Sequence, residues 1–150
     1  MIRYILTALG LYLIAKDNFL SCAWLAWIPE LNCTVLGSIS DDYQICTTGK
    51  ARFKRFLLPL LLILTCVVSL FMMLAASAAD SYPYGFLLII PAIGGFIGYL
   101  ILHAFALYDL FRACVPDKAV LFLVLSLCVG IAEPVLIMLA AANQRKWIHI

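Results

Sequence analysis

Charge is what this sequence has least of. Ten basic and eight acidic residues among 150 leave the chain 12% charged and 66% hydrophobic. A soluble domain of this size needs a polar shell, and so few charges scarcely cover one. A net charge of +2 is too small to hold a nucleic acid, so the basic residues read as topology signals. Histidine is nearly absent. His103 and His149 stand far apart, which excludes the H-E-x-x-H pattern of a zinc protease. Six cysteines show no C-x-x-C spacing, and five lie in or beside apolar runs, where cysteine behaves as a small hydrophobe. No serine in a Gly-x-Ser context has a histidine base at hand. Gly94-Gly95-x-x-Gly98 has no lysine to make a phosphate loop and lies inside an apolar run. The chain thus reads as non-enzymatic, with no cofactor, no metal and no nucleic acid partner.

What is present is apolar length. From Phe56 to Ala79 no acidic or basic side chain occurs, and the run is mostly Leu, Ile, Val, Phe, Met and Ala. At about 1.5 Å per residue such a helix spans a hydrocarbon core of about 30 Å. Arg52, Lys54 and Arg55 stand at its entrance and Asp80 at its exit. Phe86 to Leu110 predicts another span, with Pro91 as a kink and Gly94, Gly95 and Gly98 as a smooth face for helix packing. His103 and Asp109 are ionisable near its far end, and Arg112, three residues beyond Asp109, predicts a local ion pair. Met1 to Ala15 reads as a shortish, uncleaved first span of about 22 Å that stops at Lys16-Asp17-Asn18.

The remaining segments are interrupted. Phe19 to Gly37 is broken by Trp24, Trp27, Pro29, Glu30 and Asn32, which fits a re-entrant or interfacial segment better than a straight span. Ser38 to Arg55 reads as a cytoplasmic loop, and Asp80 to Gly85 as a tight turn. Ala119 to Ala142 is the last apolar segment, interrupted by Gly130 and by Glu133-Pro134. The expected fold is all-α: a polytopic transmembrane helical bundle of four spans plus one re-entrant or interfacial segment, with five spans as the alternative. It forms a single membrane domain over residues 1–150, with its cytoplasmic loop at 38–55.

Two functions remain open. The first is a non-catalytic integral membrane protein that packs against itself, as a homo-oligomer, or against a larger membrane partner through Gly94, Gly95 and Gly98. The second is a small transporter or channel subunit with a polar intramembrane site drawn from Glu30, Asn32, Asp109 and Glu133. Glu133 is the anomaly, because carboxylates within the lipid bilayer are costly and by default functional. The bland alternative is that Pro134 breaks the helix and Glu133 bonds to the freed backbone.

A faint internal echo runs through the chain. Leu6, Ala8, Leu11, Tyr12, Ala23 and Leu25 recur in order as Leu102, Ala104, Leu107, Tyr108, Ala119 and Leu121, and Lys16 is matched by Arg112. Each half would then be a span, a basic turn and a second apolar segment. The stretches Leu11-Tyr-Leu-Ile-Ala-Lys16, Ala23-Trp-Leu-Ala-Trp-Ile-Pro-x-x-Asn32, Leu36-Gly-Ser-Ile39, Ile90-Pro91, Ala106-Leu-Tyr-Asp-Leu-Phe-Arg112 and Pro116-Asp-Lys-Ala-Val-Leu-Phe-Leu-Val-Leu125 also carry a resemblance. It covers most of the chain and is to a group of uncharacterised small polytopic membrane proteins of Gram-positive bacteria. The W-x-x-W-I-P-x-x-N element is its most specific part. The resemblance implies a multi-pass protein of the bacterial cytoplasmic (inner) membrane and no established activity. It also implies a glycine in the turn after the first span, where this chain has Asp17-Asn18-Phe19.

Overall fold

The longest apolar runs give the longest helices, which absorb their prolines, while Gly49 and Gly130 stand at or just past the ends of shorter ones. The computed structural model describes residues 1–29, 31–49, 53–78, 85–130 and 132–143, and among them no strand occurs. Six helices follow in order: α1 (Ile2–Asp17), α2 (Asn32–Thr48), α3 (Lys54–Ala78), α4 (Gly85–Cys114), α5 (Ala119–Cys128) and α6 (Ala132–Ala142). Short 3-10 helices at Ala23–Trp27 and Pro116–Lys118 precede α2 and α5.

Among the described residues two helices are long and apolar enough to cross a membrane, over Lys54–Phe71 in α3 and Ile93–Cys114 in α4. A core helix of a soluble protein passes the same test of length and composition, but it is mostly buried. Here only 11% and 22% of those windows is buried. Leu60, Ile63, Leu64, Phe71, Phe96 and Ile97 all point outward. Pro59 and Pro91 are both accommodated inside continuous helix.

The other helices are shorter. At 16 residues α1 is about 24 Å long, while α5 and α6, at 10 and 11 residues, each reach about half a hydrocarbon core. The core lies where they meet the C-terminal half of α4: Ile14, Leu107, Leu110, Phe111, Ile137 and Ala140 are all at most 1% exposed. Gly10 lets α1 and α6 approach, since a Cβ there would lie 2.8 Å from Ile137 Cγ2.

Three expectations are corrected. The expected span over Ala119–Ala142 is two short helices, α5 and α6, rather than one continuous helix. Val115, Asp117, Lys118 and Phe122 share a cavity with Leu139, Ala142 and Asn143, so α6 returns to the end where α5 began. The 38–55 stretch is not a loop either: residues 38–48 continue α2, which Gly49 stops at φ 69. The hydrophobic seam of α2 (Val35, Leu36, Ile39) lies on the core, which overrides the helix-indifferent Ser and Asp residues between. Finally, Asp109 pairs with Lys54, not with Arg112, whose guanidinium lies 5.9 Å from the Tyr108 ring centroid. Of the expected Asp80–Gly85 turn only Gly85 falls among the described residues.

The segment after α1 also folds back. Phe19, Leu20, Ser21 and Cys22 line a groove with Asp42 and Arg55 at the basic end of the bundle. Trp27, by contrast, accepts a hydrogen bond on its carbonyl from Tyr4 at the far end of α1. The turn that should want glycine closes without it. Leu20 N–H donates to Ala15 O at 3.0 Å, and Phe19 takes φ 57, a left-handed helix stop occupied by a residue with a side chain. The internal echo has a structural counterpart as well. Lys16 Nζ lies 5.9 Å from the Tyr12 ring centroid, matching the Arg112–Tyr108 contact at the end of α4.

Candidate functional site

Both broken segments deliver their tips to one place. Asn32 and Cys33 open α2 just past Pro29, and Glu133 sits in the first turn of α6 just past Gly130. Pro134 is tolerated there because a backbone N–H in the first turn has no partner within the helix. The same turn favours a carboxylate, whose charge complements the positive end of the helix dipole. Tyr99 and His103, one turn apart on α4, and Arg3 and Thr7, one turn apart on α1, complete the wall. Together they line an open pocket of about 470 Å³ near the middle of the Ile93–Cys114 stretch.

Glu133 is its centre of charge. One carboxylate oxygen lies 3.4 Å from Arg3 Nη2 and the other 3.4 Å from His103 Nε2. Both contacts are long for charge-assisted hydrogen bonds, which usually close to about 2.7–2.9 Å. The His103 ring stacks on Tyr99 at 5.6 Å between centroids, and Tyr99 Oη is 3.3 Å from Cys33 Sγ. His103 Nδ1 is buried with no partner among the described residues. The cavity thus holds one carboxylate between two cation-capable groups, with a spare ring nitrogen. It can exchange a proton or hold a small polar solute. Among the described residues no three His, Cys, Asp or Glu side chains are placed to share a metal ion.

The sequence-predicted residues are divided. Asn32 and Glu133 meet in this cavity, and Glu30 lies outside the described residues. Asp109 belongs to a different, closed cluster. Lys54 Nζ lies 2.5 Å from Asp109 Oδ2, which also accepts from Ser40 Oγ at 2.6 Å and Gln44 Nε2 at 2.8 Å. The Lys54 and Asp109 side chains are only 5% and 11% exposed, and they satisfy one another. Beside them Asp41 accepts the N–H groups of Lys54 and Arg55, both at 3.1 Å, and so caps α3 from another helix. Gly37 allows that approach: a Cβ there would lie 2.7 Å from Arg55 Cα. Gly95 rests on Thr65 of α3, whereas a Cβ added at Gly94 or Gly98 would meet nothing within 4 Å.

The chain matches no family model, no curated protein and no solved structure. The site is therefore read from its own geometry. Sequence reasoning missed Arg3 and His103 as partners of Glu133, because nothing in the spacing brings residues so far apart together. It also missed the Ser40–Lys54–Asp109 cluster. A signal for that one existed: Gly37, Ser40, Asp41 and Gln44 recur at helical spacing on one face of α2.

Proposed function

We propose that the chain is an integral membrane protein whose own surface is built to associate, either with a second copy or as an accessory subunit of a larger membrane complex. The observation that carries this is the α3–α4 pair, whose apolar side chains face outward along much of two long helices, with Gly94 and Gly98 open to a neighbour rather than used within the chain. In the topology we favour, α3 and α4 cross, α1 reaches most of the way, and the two broken segments dip in and return to the face they left. That arrangement departs from four full spans, and it keeps Lys16, Arg55, Arg112 and Lys118 on one face, which the positive-inside rule makes cytoplasmic. Gly98→Leu should weaken association while leaving helicity intact. A parent protein that runs as a strict monomer in mild detergent, with no partner crosslinked in cells, overturns the reading.

The Glu133 cavity favours a second reading, a small transporter or channel subunit. Transport proteins place solutes where broken segments meet near the bilayer midplane, and an acid there can carry a proton or pair a cation. Glu133→Gln should then abolish a proton- or cation-dependent flux in reconstituted vesicles without lowering expression. Flux absent from the parent as well returns Glu133 to a helix-capping role.

A further inference from the structure

At the basic end of the bundle a second cavity, of about 400 Å³, opens between the turn after α1, the middle of α2 and the start of α3. Leu20, Leu25, Val35 and Phe56 give it an apolar wall. Thr34, Asp42 and Arg55 give it a polar one. The two charges face one space without closing on each other. The Arg55 guanidinium lies 4.8 Å from the Phe56 ring centroid, and Asp42 makes no ion pair among the described residues. Burial pushes the Asp42 carboxyl above its ordinary range, and the nearby Arg55 charge pulls it partly back. Thr34 Oγ1 is buried and likewise has no partner among the described residues. At the mouth stands Phe19, 76% exposed and held outward by its left-handed backbone.

A carboxylate and a guanidinium set apart across one groove fit a zwitterion better than a single ion. The apolar wall asks for a hydrocarbon chain on the same molecule. A water-soluble zwitterion has no such chain, and a phospholipid has one at this depth.

We infer that this groove binds a phospholipid with a primary-amine headgroup, its ammonium on Asp42, its phosphate on Arg55 and an acyl chain along Leu25, Val35 and Phe56. The inference rests on the membrane reading above. It does not involve the Glu133 cavity or the open glycines. Charge-assisted hydrogen bonds supply the discrimination: an ammonium donates to Asp42, whereas a trimethylated amine has no N–H to donate and a glycerol headgroup has no charge.

Native mass spectrometry of the detergent-purified chain, titrated with phosphatidylethanolamine, phosphatidylcholine and phosphatidylglycerol of identical acyl chains, tests it. The amine lipid should be retained at about tenfold lower concentration than the other two. Asp42→Asn should erase that preference, and Arg55→Gln should weaken all three alike. Soluble glycerophosphoethanolamine, added to the parent, should compete only at far higher concentration, because it lacks the chains; this arm needs no variant to fold. Equal retention of the three lipids by the parent, a preference that survives in folded Asp42→Asn, or efficient competition by the soluble headgroup overturns the inference. A chain recovered from the aqueous fraction without detergent refutes the membrane reading itself, a distinct result.

Discussion

Asp109→Asn is the sharpest perturbation of this fold. The substitution keeps the shape of the side chain and removes the charge opposite Lys54. Lys54 Nζ would keep Ser40, 3.0 Å away, as a neutral partner, but its charge would be uncompensated where only 5% of the side chain meets solvent. Removing one member of a buried pair costs about 3–5 kcal/mol, on the order of a hundredfold or more in the folding equilibrium. The converse change, Lys54→Met, should cost less. It leaves the carboxylate two neutral donors, Ser40 at 2.6 Å and Gln44 at 2.8 Å, to stand in for the lost cation. The double variant Lys54→Met/Asp109→Leu removes both charges and should recover most of the loss, because replacing a buried pair by apolar groups is often close to neutral. Reversible unfolding in mixed micelles, followed by circular dichroism, measures all three. A loss below about 0.5 kcal/mol for Asp109→Asn, a level typical of an exposed pair, refutes the account. So does a double variant no better than the worse single one.

Three further outcomes follow from local geometry. Phe19→Gly should stabilise the chain by about 1 kcal/mol in the same unfolding assay, by relieving a left-handed backbone at φ 57; a loss of stability would mean the ring packs on something essential. Gly37→Ala should cost about 1–3 kcal/mol, since its Cβ would press on the Arg55 backbone, whereas Gly94→Ala, with open space around it, should leave the monomer as stable or slightly more so. A membrane-impermeant thiol reagent should label exposed Cys22 and Cys46 from one and the same side and leave buried Cys33 and Cys114 untouched; labelling from opposite sides would break the proposed topology.

How much of this was legible in the sequence depends on the range of the force involved. Uninterrupted hydrophobicity is a local property, so α3 and α4 were plain, and α4 even runs to Cys114, past the expected end at Leu110. Breakers are local too, and Pro29 and Gly130 marked the interruptions. Whether an interrupted segment continues or folds back is not local. It depends on what the tip meets, and the tip of α6 meets Arg3 and His103, far away in the chain. Polarity misled where it was buried. Ser40, Asp41 and Gln44 suggested a solvated loop, yet their partners are Lys54, Asp109 and the first N–H groups of α3. A polar residue in a sequence shows that it needs a partner, and water is only one of those available.

In a bilayer, the uneven reach of the helices would have a consequence for the surrounding lipid. The buried core gathers at the Asp109 end of α4, around Leu107, Leu110 and Phe111, while Ile90, Ile93, Phe96 and Ile97 toward its other end are exposed. In the proposed orientation the protein therefore displaces more lipid from one leaflet than from the other. Such a taper crowds one monolayer more than its opposite. Many copies side by side would bend a sheet away from the crowded leaflet, and a single copy would sit most comfortably where the sheet is already bent that way.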